Sequence, residues 1–270
     1  MATWVFIDGK FVKEENALIH FKDLSFQRGY GVFDFFRLVD NTPLFLDDYF
    51  DRFFFSAEGL HLTLPYTRDD LKTIVADITQ KNGLPGTGMR LSLTGGVSED
   101  GFAIGQPALV VSQHSFMPPA GQHVAQGIRL LTYPFQRQLP HLKTIDYLTA
   151  IWLQPMRKEK GADDLLYHFN GAISESPRSN FFIVKRDQTI VTPSAGVLAG
   201  ITRKKLLEVA RKHFTVEERP LSLHELTDAK EAFLTSTTKQ ILPVSQIDNT
   251  VYSKPEVAHF LLEEFRSAYL

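Results

Sequence analysis

The sequence predicts an α+β fold in two unequal halves, and three features carry that prediction. Apolar and polar residues alternate through short segments of the first half, the period of a half-buried strand. Between and after them lie segments with the i, i+3, i+4, i+7 spacing of an amphipathic helix. The segment Phe116-Met-Pro-Pro-Ala-Gly-Gln122 then breaks both periods with two prolines and a glycine. The expected division is 1–115 as an N-terminal α+β domain, 116–126 as an interdomain loop and 127–270 as a C-terminal domain.

Trp4 to Ile7, the Asp8-Gly9 turn and Lys10 to Val12 read as a β-hairpin. A strand over Val32 to Val39 turns at Asp40-Asn41 into Pro43 to Leu46, and Asp47 and Asp48 open a helix ending near Gly59. Behind Thr67 as N-cap, Leu71, Ile74, Val75 and Ile78 mark a second helix. Strands follow at Met89 to Thr94 and Ala108 to Ser112. Past the loop come a strand over Ile128 to Thr132, a helix from about Asp146 to Lys160, and a hairpin about Asn170-Gly171 with strands Asp164 to Phe169 and Ala172 to Ser174. Phe181 to Val184 and Thr189 to Thr192 form another hairpin. A helix from Thr202 and a last one from Pro255 complete the chain.

Composition narrows the function. The 270 residues are 43% hydrophobic and 22% charged, with a net charge of −2, which excludes long disorder and gives no electrostatic footprint for nucleic acid or an acidic membrane. The absence of cysteine removes disulfides, thiolate nucleophiles and Cys-ligated metals. The nine histidines never fall three to five residues apart, so no metal site is expected. The N-terminus has no basic region before its short apolar stretch, and no apolar run approaches the length of a membrane span, so a cytoplasmic location is expected.

Lys143, in His141-Leu-Lys-Thr-Ile-Asp-Tyr147, has apolar neighbours, and burial of that kind lowers a lysine pKa and suits a Schiff base. Read alone, a lysine near a helix start is more commonly a surface residue. Glu175, just before the apolar run Phe181 to Val184, gains interest beside such a lysine, because a pyridinium nitrogen needs an anionic partner. Leu198-Ala-Gly200-Ile-Thr-Arg203 opens a helix whose N–H groups favour an anion, and Thr235-Ser-Thr-Thr238 adds hydroxyls; either is otherwise an ordinary cap or polar turn. Arg52 suits a phosphate by a charge-assisted pair, or else an i, i+4 pairing with Asp48. Alternation puts Arg90, Ser92 and Thr94 on one strand face, and puts Phe33, Phe35 and Arg37 on one face of theirs. Arg28 stands in a glycine-flanked loop, and Arg178 either reaches the Glu175 pocket or covers the turn.

The order and spacing of these motifs resemble the class IV, fold-type IV pyridoxal-phosphate aminotransferases over nearly the whole chain. The landmarks are Gly29-Tyr-Gly-Val-Phe-Asp34, Arg52 with Ser56-Ala57, Lys143-Thr-Ile-Asp-Tyr147, Glu175 to Asn180-Phe-Phe, Gly200-Ile-Thr-Arg203 and Thr235-Ser-Thr-Thr238 to Pro243-Val244. The resemblance implies pyridoxal 5'-phosphate as cofactor, a smaller N-terminal sandwich-like domain and a larger C-terminal pseudo-barrel that binds the cofactor. It implies Lys143 as cofactor lysine and proton shuttle and Glu175 as partner of the pyridine nitrogen. Arg52, Gly200, Ile201, Thr202, Thr237 and Thr238 would cradle the phosphate, with Tyr147 near the phenolic oxygen. A homodimer is implied, with the Arg28 loop reaching toward the neighbour's site.

Arg28, Arg90 and Arg178 look like the carboxylate trap of a less common D-amino acid transaminase group, with Phe33 in the same substrate site. The expected reaction is D-amino acid:2-oxoglutarate transamination by a ping-pong route. A branched-chain L-amino acid aminotransferase, with Phe33, Phe35 and Tyr147 as an apolar pocket, and a 4-amino-4-deoxychorismate lyase are the alternatives. A non-catalytic binding protein on this fold ranks last, because Lys143 and Glu175 are both present.

Overall fold

The computed structural model describes residues 3–252 and 254–270. It forms two compact units, Met1–Phe116 with Leu142–Asp146, and Met117–His141 with Tyr147–Leu270. The first contains strands β1 (Trp4–Ile7), β2 (Lys10–Lys13), β3 (Gly31–Val39), β4 (Thr42–Pro43), β5 (Thr87–Thr94) and β6 (Leu109–Ser115), and helices α1 (Leu24–Arg28), α2 (Leu46–Gly59) and α3 (Arg68–Asn82). Its strands form an antiparallel sheet in the order β2-β1-β6-β5-β3-β4. Two of its hairpins turn on residues with positive φ at both central positions, Asp8-Gly9 and Asp40-Asn41, which matches the right-handed strand twist. Helix α2 packs on β3, and α3 on β1 and β6, burying Phe36, Phe50, Phe53, Leu71, Ile78 and Leu91.

The second unit contains α4 (Gly121–Gln126), β7 (Ile128–Pro134), α5 (Leu148–Trp152), α6 (Gln154–Glu159), β8 (Asp164–Phe169), β9 (Ala172–Ile173), β10 (Glu175–Ser176), β11 (Ser179–Val184), β12 (Ile190–Thr192), α7 (Ile201–Ala210), β13 (Val216–Glu218), β14 (Leu221–Ser222), β15 (Glu231–Ser236), β16 (Gln240–Ile247), β17 (Thr250–Val251) and α8 (Glu256–Tyr269). These strands make a mixed sheet along the path β13-β12-β11-β15-β16-β7-β8-β9-β14. One face of β11 and β15 supplies Phe181, Ile183, Ala232 and Leu234 to the main core with Leu166, Leu242 and Val244. The other face carries Asn180 and Thr235, directly opposite each other, with Glu175 opposite Asn180 on β10.

Several expectations are corrected. The helix expected from Asp146 to Lys160 is two short helices joined at Leu153, because Pro155 in the first turn of α6 lacks an N–H and its ring displaces the preceding turn's carbonyl. The strand expected over Ala172 to Ser174 stops at Ile173, and Glu175–Ser176 leaves it to pair with β11. Arg28 ends a short helix rather than lying in a loop; Asp23 caps its start, and Gly29 in the left-handed region closes it. Within the expected interdomain loop, Gly121–Gln126 is helical.

Thr67 forms a reciprocal capping box with Asp70 at the start of α3. Thr67→Ala is expected to cost about 1 kcal/mol in chemical denaturation, with the denaturant slope unchanged.

Candidate active site

Lys143 is held by the backbone around it. Residues 142–146 run antiparallel against β3, with the Phe33 N–H donating to the Lys143 carbonyl and the Ile145 N–H to the Gly31 carbonyl, each at 3.0 Å. The Lys143 N–H donates to Ser56 Oγ on α2 at 3.1 Å. Buried Leu142 lies where a Cβ on Gly59 would sit, 2.6 Å from its Cδ2, so a glycine at the end of α2 leaves room for the strip. The half-buried Lys143 side chain lies over the Phe33 ring, with Nζ 4.7 Å from its centroid.

Arg90 stacks on the same ring, its guanidinium carbon 4.1 Å from the centroid, and its Nε donates to Ser92 Oγ at 3.1 Å. Phe33 thus bears both an amine and a guanidinium. Arg52 is buried, in an ion pair with a strand residue of its own unit. Its Nε and Nη2 donate to the two oxygens of Asp34, at 2.8 and 2.6 Å, and both side chains are buried. Asp34 is thereby the partner that orients Arg52. Arg28 is exposed, its Nη1 donating to the Gln27 carbonyl at 3.1 Å.

Glu175 lies in the second unit, buried and gripped by three donors. Arg137 Nη1 reaches Oε1 at 3.0 Å, while the Leu198 N–H and Asn180 Nδ2 reach Oε2 at 3.0 and 3.3 Å. Such a set favours the ionised carboxylate. Asn180 also donates to the Leu198 carbonyl at 2.9 Å, and its Oδ1 lies 1.9 Å from where a Cβ on Gly200 would stand. Only glycine fits there. Gly200 precedes α7, which begins without a side-chain cap and with Ile201 and Thr202 buried in its first turn, leaving a helix N-terminus suited to an anion. Thr237 and Thr238 are half-buried in the turn between β15 and β16. The buried hydroxyls of Ser176 and Thr235 have no hydrogen-bond partner.

Tyr147 and Arg178 line one cavity of about 340 Å³ in this unit, with Arg157, Asp163 and Asp164. Arg178 is exposed, on the two-residue turn between β10 and β11. Burial pushes the nearby Tyr167 phenol well above its ordinary pKa, and its hydroxyl is unpaired. The expected residues therefore divide: Arg28, Phe33, Arg52, Arg90 and Lys143 belong to the first unit, and Tyr147, Glu175, Arg178, Gly200, Ile201, Thr202, Thr237 and Thr238 to the second.

The sequence does not by itself assign the ion-pair roles of Asp34, Arg137 and Asp164. Asp34 was findable, since it shares the strand face of Val32 and Phe36, where a charge demands a partner. Arg137, in the stretch between β7 and α5, carries no such signal.

A lysine amine set on an aromatic ring in the first unit, and a buried carboxylate with three donors in the second, are the residue types that a carbonyl-bearing pyridine cofactor uses. Residues 31–247 match the family model of class IV amino-transferases. Over 97% of the chain, it is 30% identical to a putative branched-chain-amino-acid aminotransferase of Methanocaldococcus jannaschii, covering 95% of that protein. It is 27% identical to a D-alanine aminotransferase of Listeria monocytogenes serotype 4b, with 90% and 87% of the two chains covered. The crystal structure of a branched-chain aminotransferase from Thermoproteus uzoniensis with norvaline superposes with a TM-score of 0.88 at 26% identity, covering 98% of this chain and 94% of that one. The chain belongs to the class IV aminotransferases, enzymes of fold type IV that use pyridoxal 5'-phosphate.

The residues present fit that cofactor: an anionic carboxylate for a ring nitrogen, an uncapped helix start for a phosphate, and unpaired buried hydroxyls at Ser176 and Thr235 in the same unit. Among the described residues, no group of three or more His, Asp or Glu is placed to hold a metal, and no helix is long and apolar enough to cross a membrane.

Two substitutions test the construction. Asp34→Ala removes the two-oxygen carboxylate partner of the buried Arg52 guanidinium and is expected to cost about 3–5 kcal/mol in denaturant unfolding. Gly200→Ala drives a methyl group into Asn180; weaker cofactor retention on dialysis is expected, read from the visible absorbance.

Proposed function

We propose that this aminotransferase moves an amino group between a D-amino acid and 2-oxoglutarate by a ping-pong route, as a cytoplasmic homodimer. The observation that carries the reading is the Phe33 ring with Arg90 at 4.1 Å and Lys143 Nζ at 4.7 Å. A guanidinium beside the reactive amine suits a substrate whose carboxylate is bonded to the carbon that exchanges the proton. Arg28 and Arg178 are taken as further carboxylate-binding groups. D-alanine aminotransferases among the relatives support this reading.

The roles follow from the chemistry of each side chain. Lys143 removes and returns the α-proton on one face of the bound substrate, so the enantiomer depends on the side from which the arginines hold the carboxylate. Glu175, which accepts from Arg137, Asn180 and the Leu198 N–H, would pair with the cofactor's ring nitrogen and favour its protonated form. Arg52, the α7 N-terminus at Gly200, Ile201 and Thr202, and the hydroxyls of Thr237 and Thr238 would hold the phosphate, with Tyr147 on the side of the phenolic oxygen. Pyridoxal phosphate, when bound, supplies the electron sink that makes the α-proton acidic.

A second reading, branched-chain L-amino acid transamination, is favoured by the higher identity to the Methanocaldococcus jannaschii relative, with Phe33 and Phe35 as apolar walls. Adding D-alanine or L-leucine separately to the holoenzyme decides between the two. Loss of the cofactor's visible band with D-alanine alone supports the D-specific reading, and loss with L-leucine alone selects the branched-chain one.

Arg90→Ala is expected to raise KM for the amino acid and the keto acid together, each by about 10-fold or more, the scale of a lost charge-assisted hydrogen bond. Unchanged KM for both removes Arg90 from the trap. The homodimer reading is supported by the exposed large apolar side chains of Leu18, Phe21, Phe26 and Phe102 in the first unit. Sedimentation is expected to give twice the 30.6 kDa chain mass.

A further inference from the structure

Lys239 closes the hydroxyl-bearing turn between β15 and β16, yet its side chain turns inward. Its largely buried ammonium donates to Asp164 Oδ2 at 2.8 Å and to Ser179 Oγ at 3.0 Å. The other Asp164 oxygen accepts the Leu165 N–H at 2.9 Å. Burial acts to raise the Asp164 carboxyl pKa, but Lys239, the Leu165 N–H and Arg178 together outweigh it and hold the group below the ordinary carboxylate value. Asp164 thus stays ionised at the wall of the cavity that Arg178 also lines.

The other charges of that cavity are engaged elsewhere. Asp163 accepts the Arg129 N–H at 2.8 Å and lies 4.0 Å from His123. Arg157 donates to the Ala162 and Asp163 carbonyls, each at 2.7 Å. Tyr147 also lines this cavity, and the nearby Tyr167 phenol is kept neutral by burial, which raises its pKa. Arg178 sits one residue before Ser179, the hydroxyl that Lys239 holds. An ionised carboxylate in a cavity beside a guanidinium, without a cation of its own, pairs with that guanidinium.

We propose that Lys239 is a positioning residue for substrate recognition: by taking the Asp164 carboxylate, it leaves Arg178 available to bind a substrate carboxylate. The inference rests on the reading of Arg178 as a carboxylate-binding group. Removing the Lys239 charge turns Asp164 into an internal competitor for Arg178, and the substrate carboxylate meets a neutralised partner. The loss appears in binding rather than in proton transfer, because the proton is moved by Lys143 and Lys239 is engaged by Asp164 and Ser179.

The test measures KM and kcat for 2-oxoglutarate, and the Kd of glutarate, a dicarboxylate that cannot react, in the holoenzyme forms of wild type, Lys239→Met, Lys239→Gln, Asp164→Asn/Lys239→Met and Arg178→Met. Lys239→Met and Lys239→Gln are expected to raise both KM and the glutarate Kd about 10-fold, with kcat changing much less. Glutamine retains the hydrogen-bonding reach without the charge, so it answers the question if methionine does not fold. Asp164→Asn/Lys239→Met is expected to restore both constants.

In Lys239→Met, the Asp164 carboxyl has lost its cation and protonates at a higher pH. Binding is therefore expected to recover as the pH is lowered, a recovery that wild type lacks. A merely structural lysine gives neither the acid recovery nor the binding-only loss. Arg178→Met that weakens binding while both Lys239 variants do not overturns the charge competition alone. Unchanged binding in Arg178→Met overturns the Arg178 reading, and the proposal with it.

Discussion

The chemistry of this chain depends on a five-residue strip hydrogen-bonded to the first residues of β3. Residues 142–146 add to β3 through two backbone hydrogen bonds, and Ser56 Oγ fixes the Lys143 amide from the α2 side. That arrangement puts the side chain of a flexible lysine over a buried phenylalanine ring, where its reach is defined. Two small residues make it possible. Gly59 admits Leu142, and Gly31 lies against the Leu93 carbonyl and the Ile145 side chain, at distances a Cβ would violate.

Three buried carboxylates each face a cation within their own unit. Asp34 faces Arg52, Glu175 faces Arg137, and Asp164 faces Lys239. Burying such pairs costs desolvation that their attraction offsets only when geometry is good and further donors complete the shell. Glu175, with two additional donors, and Asp164, with the Leu165 N–H, meet that requirement. The three pairs tie elements distant in sequence, such as β3 with α2 and β8 with the turn that Lys239 closes, so they specify placement as much as stability.

Period and turn chemistry were legible where local forces decide the outcome. The Asp8-Gly9, Asp40-Asn41 and Asn170-Gly171 turns, the Thr67 cap and the alternation through β5 all follow from conformational preferences of a few residues. The α5–α6 break was legible in Pro155 but was overridden by the helical period around it. The family was also readable, because the order and spacing of its motifs along the chain, rather than any single residue, carry the resemblance. Arg137 and Lys239 were not, since a lysine or arginine in a connecting segment looks solvated until the partner across the fold is known. Nor was the return of residues 142–146 to the first unit, which depends on a groove left by Gly59 far upstream.

That return fixes an order of events in synthesis. The first unit is complete only when Asp146 has been added, so it can close with its lysine seated while most of the sheet from β8 onward is still unmade. A chain interrupted after Phe116 has the sheet but no reactive amine, and one beginning at Met117 has the amine but not the strand that seats it. The two units are therefore inseparable as genetic modules, although each has its own sheet.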